Sequence, residues 1–267
     1  MIDMGLTAEV QISTLGKAGL ERVAKMVLPP VDGITYRISV QNPTDESLVI
    51  PSELKRPDVE LSLYRDRGVS RNRNHGLDAA TADIVFISDD DLRYDRTGLL
   101  AVIDYFEKHP DVDFVTFRSS GSDGKLFPDE GFEFGGRRPR GYYLSAFEMA
   151  LRRDRLPAGL RYSTDFEISS PVLGCGEESI FLVDLERAGL RGHYVPVTVV
   201  EHPDLTTGSR PATAPVLRAQ GAYLRYRYGS LKGFLKILRD VPRRKASPWH
   251  ALIGMMQGYF YLPRIRH

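Results

Sequence analysis

Ile84-Val85-Phe86-Ile87-Ser88-Asp89-Asp90-Asp91-Leu92 is the stretch whose reading decides the fold. An apolar run of strand formers stops at three consecutive acids. Short runs of this kind suit a strand buried on both faces, as in a parallel sheet. Three adjacent carboxylates repel one another and gain nothing inside a core. At the carboxyl end of a buried strand, though, they face the crevice where open α/β sheets bind ligands. Hard divalent cations, together with phosphate oxygens, take oxygen ligands of that type. The stretch therefore predicts a metal and diphosphate site. An acidic turn that merely ends a strand reads the same residues, and the rest of the chain must separate the two.

On the amino-terminal side, alternation and turn chemistry predict strands at 8–13, 35–40 and 59–64, with helices at 20–28 and 71–80. Pro29-Pro30 stops the first helix, and Ser70 is placed to cap the second. On the other side come a helix at 99–108 and a strand at 114–117. This alternation predicts a mostly parallel, Rossmann-like α/β sheet flanked by helices. Periodicity is then lost over 119–141, a segment rich in glycine and proline that includes Gly124. Loops of that length inside a domain are usually functional or disordered. Residues 142–153 show helical spacing of Leu144, Phe147 and Leu151. A helix from Glu177 to about Ala188, closed by Gly189, and a strand over 194–201 follow.

From Ala214 onward the character changes. Two basic amphipathic helices are predicted at 216–228 and 231–238, then an apolar one at 249–262. Arg218, Arg225, Arg227, Lys232, Lys236, Arg239, Arg243, Arg244, Lys245, Arg264 and Arg266 face the single acid Asp240. Such a tail suits an anionic membrane surface or packs as an extra helical layer. The expected organisation is a domain over 1–213, with a nucleotide-binding half to about 118 and an acceptor and catalytic half from 119, followed by a helical C-terminal extension over 214–267. The chain of 267 residues has a net charge of +1, so nothing in the overall balance calls for nucleic acid. Cys175 is the single cysteine, and Met1-Ile2-Asp3-Met4-Gly5 has no signal character. No apolar stretch is long enough to span a bilayer. A cytoplasmic setting, with contact at the inner membrane face, is the expectation.

Three features carry chemistry: Asp89, Asp90 and Asp91 at a strand end, Glu177-Glu178 opening a helix after two glycines, and His202 between a strand and Pro203. Acids in a first helical turn are favoured by the macrodipole alone. A lone histidine at a strand end is commonly structural. Together the three supply a carboxylate cradle for a cation, a separate carboxylate for proton abstraction, and an imidazole to complete a metal shell.

Asp66-x-Gly68-x-Ser70-x-x-Arg73-Asn74-x-Gly76-Leu77, followed by the 82–91 strand and acids, resembles the family 2 glycosyltransferases of the GT-A fold. Gly176-Glu177-Glu178-Ser179-Ile180-Phe181-Leu182 resembles that family's Glu-Asp motif, and Val199-Val200-Glu201-His202 its closing strand and histidine. The resemblance covers about 8–203. It implies an inverting, metal-dependent transfer of a sugar from a nucleotide-diphosphate donor, with UDP expected, to a hydroxyl of a glycan or lipid-linked acceptor in surface polysaccharide biosynthesis. By the same resemblance Asp89, Asp90 and Arg73 would meet the nucleotide sugar. Asp91 would ligate Mn2+ or Mg2+, His202 would contact the metal or diphosphate, and Glu178 would be the catalytic base. Tyr142, Tyr143 and Glu177 would line the acceptor region.

The pattern departs from the family in three places. Ile12-Ser13-Thr14-Leu15 stands in the first-strand turn where the family usually has a proline, and Thr14 and Gln41 are expected among the nucleotide-sugar contacts. Gln41 replaces the aspartate that reads the base, and keeps a donor and an acceptor. Glu178 replaces an aspartate and retains the carboxylate. Two other readings use the same residues. A sugar nucleotidyltransferase would need a phosphate loop, of which Leu15-Gly16-Lys17-Ala18-Gly19 is a thin version. A non-catalytic nucleotide or glycan binder would need no base.

Overall fold

The computed structural model describes residues 5–26, 28–121, 125, 127–136, 138–168, 170–202, 213–243 and 246–262. Gly124, Pro203, Arg244, Lys245, Arg264 and Arg266, cited above, lie outside them. The chain divides into two compact units. The first takes Met1–Arg67, Arg71–Leu160 and Leu185–Thr206; the second takes Gly68–Ser70, Arg161–Asp184 and Thr207–His267.

The first unit is a mixed sheet with helices. Its strands are β1 (Ala8–Leu15), β2 (Ile34–Gln41), β3 (Val59–Tyr64), β4 (Ile84–Ser88), β5 (Arg93–Tyr94), β6 (Phe114–Ser120), β7 (Phe132–Glu133), β8 (Met149–Arg152) and β9 (Gly192–Glu201). The order is β3-β2-β1-β4-β8-β6-β9-β5, with β7 on β9. Strands β3, β2, β1 and β4 run parallel, and β6 runs parallel to β9. The parallel half is joined by α1 (Gly16–Val23) and α2 (Val69–Ala79), and α3 (Arg96–Lys108) leads into β6. Every residue of β4 is buried, as its unbroken apolar run requires. Gly76 lets α2 ride close over β1, because a Cβ there would overlap the Gln11 side chain. Asp95 starts α3 by accepting the Gly98 amide at 2.6 Å.

Residues 142–153 depart from the helical expectation. A single 3-10 turn at Ala146–Glu148 leads into β8, which lies antiparallel between β4 and β6. Leu144, Phe147 and Leu151 have helical spacing, but Met149, Ala150 and Leu151 are all buried, so the local period loses to a position walled by two strands.

In the second unit, α4 (Glu177–Arg187) begins, and α5 (Ala214–Asp240) and α6 (Pro248–Tyr261) pack together. Gly229, at φ 75°, breaks α5 into the two helices expected from sequence. Ala219 and Ala222 of α5 meet Phe166, Leu173 and Ile180, and Tyr162 stacks on Phe181 at 4.0 Å. The architecture is that of an α/β fold with a mixed sheet flanked by helices and a C-terminal helical region. Among the described residues no helix is long and apolar enough to cross a membrane.

Candidate active site at the strand ends

The carboxyl ends of β1, β2 and β4 bring Thr14, Gln41 and the three aspartates into one region of the first unit. Parallel register sets this: Ile12 pairs with Ser88, and Leu15 with Gln41. Asn72 of α2 ties the region together. Its amide donates to the Thr14 carbonyl at 2.9 Å and to the Ser39 carbonyl at 3.0 Å. A single buried amide of α2 thus links the backbones of β1 and β2 near their carboxyl ends.

The three aspartates differ sharply. Asp90 accepts the Thr14 hydroxyl at 2.5 Å and is gripped by Arg22 of α1 at 3.0 and 2.7 Å. Asp89 accepts from the buried Arg73 at 2.7 Å. Among the described residues Asp91 forms no ion pair with an arginine. Its Oδ2 lies 3.6 Å from His202 Nε2, and its buried Oδ1 has no hydrogen-bond partner among those residues. Burial and the Asp89 charge push the Asp91 carboxyl above the usual carboxylate range, against the pull of His202. A carboxylate so placed gains most from a dication. Among the described residues no three His, Cys, Asp or Glu side chains converge as a metal cage. Asp91 and His202 fit instead a cation that takes its remaining oxygens from a diphosphate and water.

His202 is fixed by its surroundings. Its amide donates to the Ser120 carbonyl at 2.9 Å, and Phe147 stacks on its ring at 5.4 Å. Gly121 has φ 76°, and a Cβ there would press on the His202 carbonyl. Gly19 is likewise required, since a Cβ would overlap the Thr14 hydroxyl. Packing therefore accounts for Gly19 within 15–19, where α1 begins.

Gln41 is buried and donates to Asp66 Oδ1 at 2.8 Å. The other Asp66 oxygen meets His75 Nε2 at 2.7 Å, and His75 stacks on Tyr64 at 3.9 Å. Burial raises the Asp66 carboxyl, but the His75 and Gln41 hydrogen bonds outweigh it and hold it below the usual range.

The two tyrosines separate. Tyr142 hydrogen-bonds Thr116 at 2.9 Å and lies among Phe132, Phe134 and Tyr194. Tyr143 is exposed, with Lys125 Nζ 4.3 Å from its ring centre. Lys125 in turn pairs with Glu148, both side chains buried. Glu148 also accepts the Ser119 hydroxyl at 2.8 Å and the Ser145 amide at 2.9 Å. In the second unit, Glu177 and Glu178 occupy the first turn of α4, directly after Gly176 at φ 100°.

Sequence reasoning missed Arg22, Asn72, Lys125 and Glu148. An asparagine inside a helix is a weak signal for Asn72, because that residue prefers caps and turns. Arg22 and Asp90 are 68 residues apart, and no local pattern links them.

A family model described as glycosyl transferase family 2 matches residues 38–162, a little under half of the chain. Among curated proteins, "HGPRTase-like protein 1" of Haloferax volcanii is 34% identical over 116 residues, 43% of this chain and 61% of that protein. "HGPRTase-like protein 2" of Halalkalicoccus jeotgali is 32% identical over 91 residues, 34% of this chain and 48% of that protein. The chain thus spans about half the length of the curated relatives it matches. Among solved structures, S. aureus TarS 1-349 in complex with UDP-GlcNAc matches with TM-score 0.60 and 14% identity, over 96% of this chain and 73% of that one. The mannosyltransferase PcManGT from Pyrobaculum calidifontis, in complex with GDP-Man and Mn2+, matches with TM-score 0.52 and 17% identity, over 98% and 73%. At these identities the likeness is one of fold. The resemblance read from the motifs is thereby borne out: over 38–162 this chain carries the family 2 glycosyl transferase pattern, on the architecture that TarS and PcManGT share.

Proposed function

We propose that the protein is an inverting glycosyltransferase that moves a sugar from a nucleotide-diphosphate donor, a UDP-sugar first among candidates, to a hydroxyl of a glycan or lipid-linked acceptor. Surface polysaccharide synthesis is the proposed setting. The observation that carries the reading is Asp91. It is a partly buried carboxylate just past the end of β4 with one oxygen that has no hydrogen-bond partner among the described residues, beside His202 and after two aspartates that already have cationic partners.

In this reading Asp91 and His202 hold Mn2+ or Mg2+. The bound ion supplies Lewis-acid stabilisation of the charge that builds on the diphosphate leaving group. Asp89 and Asp90, fixed by Arg73 and Arg22, orient the ribose and diphosphate. Thr14 holds Asp90 in place, and the Gln41–Asp66 pair meets the base edge. Glu178 takes the proton from the acceptor hydroxyl, whose oxygen forms the new bond to the anomeric carbon. The bond from that carbon to the diphosphate oxygen breaks, and the nucleoside diphosphate leaves with both electrons. One displacement inverts the anomeric centre, and no acid is needed for the leaving group, unlike in glycoside hydrolysis. The role of Glu178 rests on its place in the motif at the start of α4. Tyr143, being exposed, is the better candidate of the two tyrosines for stacking on an acceptor sugar, with Glu177 beside the base.

A thermal-shift screen of UDP-, GDP- and dTDP-sugars with and without Mn2+ tests the donor, since a ligand bound only by the folded state raises Tm. Phosphoribosyl diphosphate belongs in the screen because of the name the curated relatives carry. Glu178→Gln should keep the Mn2+-dependent shift and lose about a hundred- to ten-thousand-fold in transfer rate. Unchanged transfer in Glu178→Gln removes its assignment as base. A shift with phosphoribosyl diphosphate alone removes the nucleotide-sugar reading.

A further inference from the structure

The helical end of the second unit is layered. Leu217, Gly221 and Leu224 lie on one face of the first segment of α5, and Ala219 and Ala222 on the opposite face, against Phe166, Leu173 and Ile180. The first face receives α6. A Cβ at Gly254 would press on Leu217, and one at Gly221 or Gly258 would overlap the backbone of Met255 or Arg218. The same face receives the α5 segment beyond Gly229, where a Cβ at Gly233 would press on the Leu224 carbonyl. Small residues therefore fix which sides of the two outer helices turn inward.

Their outer sides are not polar. Leu231, Leu235 and Leu238 follow at i, i+4 and i+7, opposite the buried Gly233 and Ile237. Trp249, Ile253 and Phe260 follow at i, i+4 and i+11, opposite the buried Ala251, Met255 and Gly258. All six are 49–73% exposed. Lys232, Lys236 and Arg239 flank the leucine stripe; Lys236 Nζ lies 4.1 Å from the Tyr228 ring centre, and Arg239 pairs at 2.6 Å with Asp240, the lone acid of the segment after Pro215. Soluble surfaces seldom place this many large apolar chains in rows. An apolar stripe with a basic flank, carrying Trp and Phe, is how helices lie in a lipid interface.

We propose that α5 and α6 dock this unit on an anionic bilayer surface, with Leu231, Leu235, Leu238, Trp249, Ile253 and Phe260 entering the headgroup–acyl boundary and Lys232, Lys236 and Arg239 meeting lipid phosphates. The cationic flank favours a lipid partner over a second copy of this chain, which would bring like charge to like. The proposal does not depend on the transfer reaction, so its test reads no turnover.

Trp249 is the single tryptophan of the chain, so its fluorescence reports on the stripe itself. The full-length protein is titrated with phosphatidylcholine vesicles lacking or containing phosphatidylglycerol. Emission should shift to the blue and be quenched by lipids brominated on the acyl chain, only with phosphatidylglycerol present. Flotation of Lys232→Glu/Lys236→Glu and of Leu231→Ser/Leu235→Ser should each fall at least about tenfold, with unaltered circular dichroism because Leu231, Lys232 and Leu235 are exposed and Lys236 is only half-buried. Trp249 emission insensitive to anionic vesicles overturns the proposal. So does a leucine variant that floats like the parent while a dimer becomes a monomer by light scattering, which would make the stripe a self-association surface.

Discussion

The strand ends of the first unit and the outer helices of the second handle charge in opposite ways. At the ends of β1 and β4, charges are partly buried and answered in advance: Arg73 holds Asp89, and Arg22 and Thr14 hold Asp90. Nearby, Lys125 and Glu148 pair out of solvent. On the outer helices, Lys232 stands in solvent beside exposed leucines, and Arg239 pairs with its neighbour Asp240 at the surface. The difference follows from what each would recognise. A small anion of fixed shape is bound best by groups whose ordering cost is already met. A fluid surface asks only for apolar area and the right sign of charge.

The largest expected contrast is in stability. Lys125→Met leaves Glu148 buried without its cation and should lower the unfolding free energy by about 3 kcal/mol in urea titrations. Lys232→Gln, on the outer face, should stay within about 0.5 kcal/mol of the parent. Equal losses would erase the distinction. A smaller effect is expected at Gly19. An added methyl displaces Thr14 from Asp90, so Gly19→Ala should cost about 1–3 kcal/mol in the same titrations. The smallest effect is a pH slope. Burial lowers the His193 imidazole below its ordinary range, opposed by Glu133 and assisted by Arg191 and His109, while its ring hydrogen-bonds Tyr105 at 2.7 Å. A depressed histidine contributes stability that is full above the unfolded value of about 6.5, and that fades as pH falls towards the folded value. Tm should decline on acidification from pH 7 to pH 5, and less steeply in His193→Gln.

Much of the parallel half was legible. β3 and β4 begin and end where alternation and the unbroken apolar run place them, because each strand's burial is written in its own residues. β8 was not, since its neighbours on both sides are supplied by distant segments and its spacing imitates a helix. The aspartates stood out because three adjacent acids gain nothing inside a core, and a buried strand end is where a sheet of this kind meets a ligand. The resemblance assigns Asp91 and His202 to a metal and Asp89 and Asp90 to the nucleotide sugar. What did not show is that Arg73 pairs with Asp89 and Arg22 with Asp90, while His202 lies beside Asp91. The basic tail was legible as charge, but which of its apolar residues face outward depends on where Gly221, Gly254 and Gly258 let the helices meet.

Calorimetric titration of UDP and GDP into the protein, with and without Mn2+, compared with Asp91→Asn, is the most direct measurement. A cation-holding cleft predicts that the parent binds one nucleotide tightly only with Mn2+, and that Asp91→Asn loses that metal dependence while keeping its fold. Equal affinity with and without the metal, or an Asp91→Asn variant indistinguishable from the parent, would contradict it.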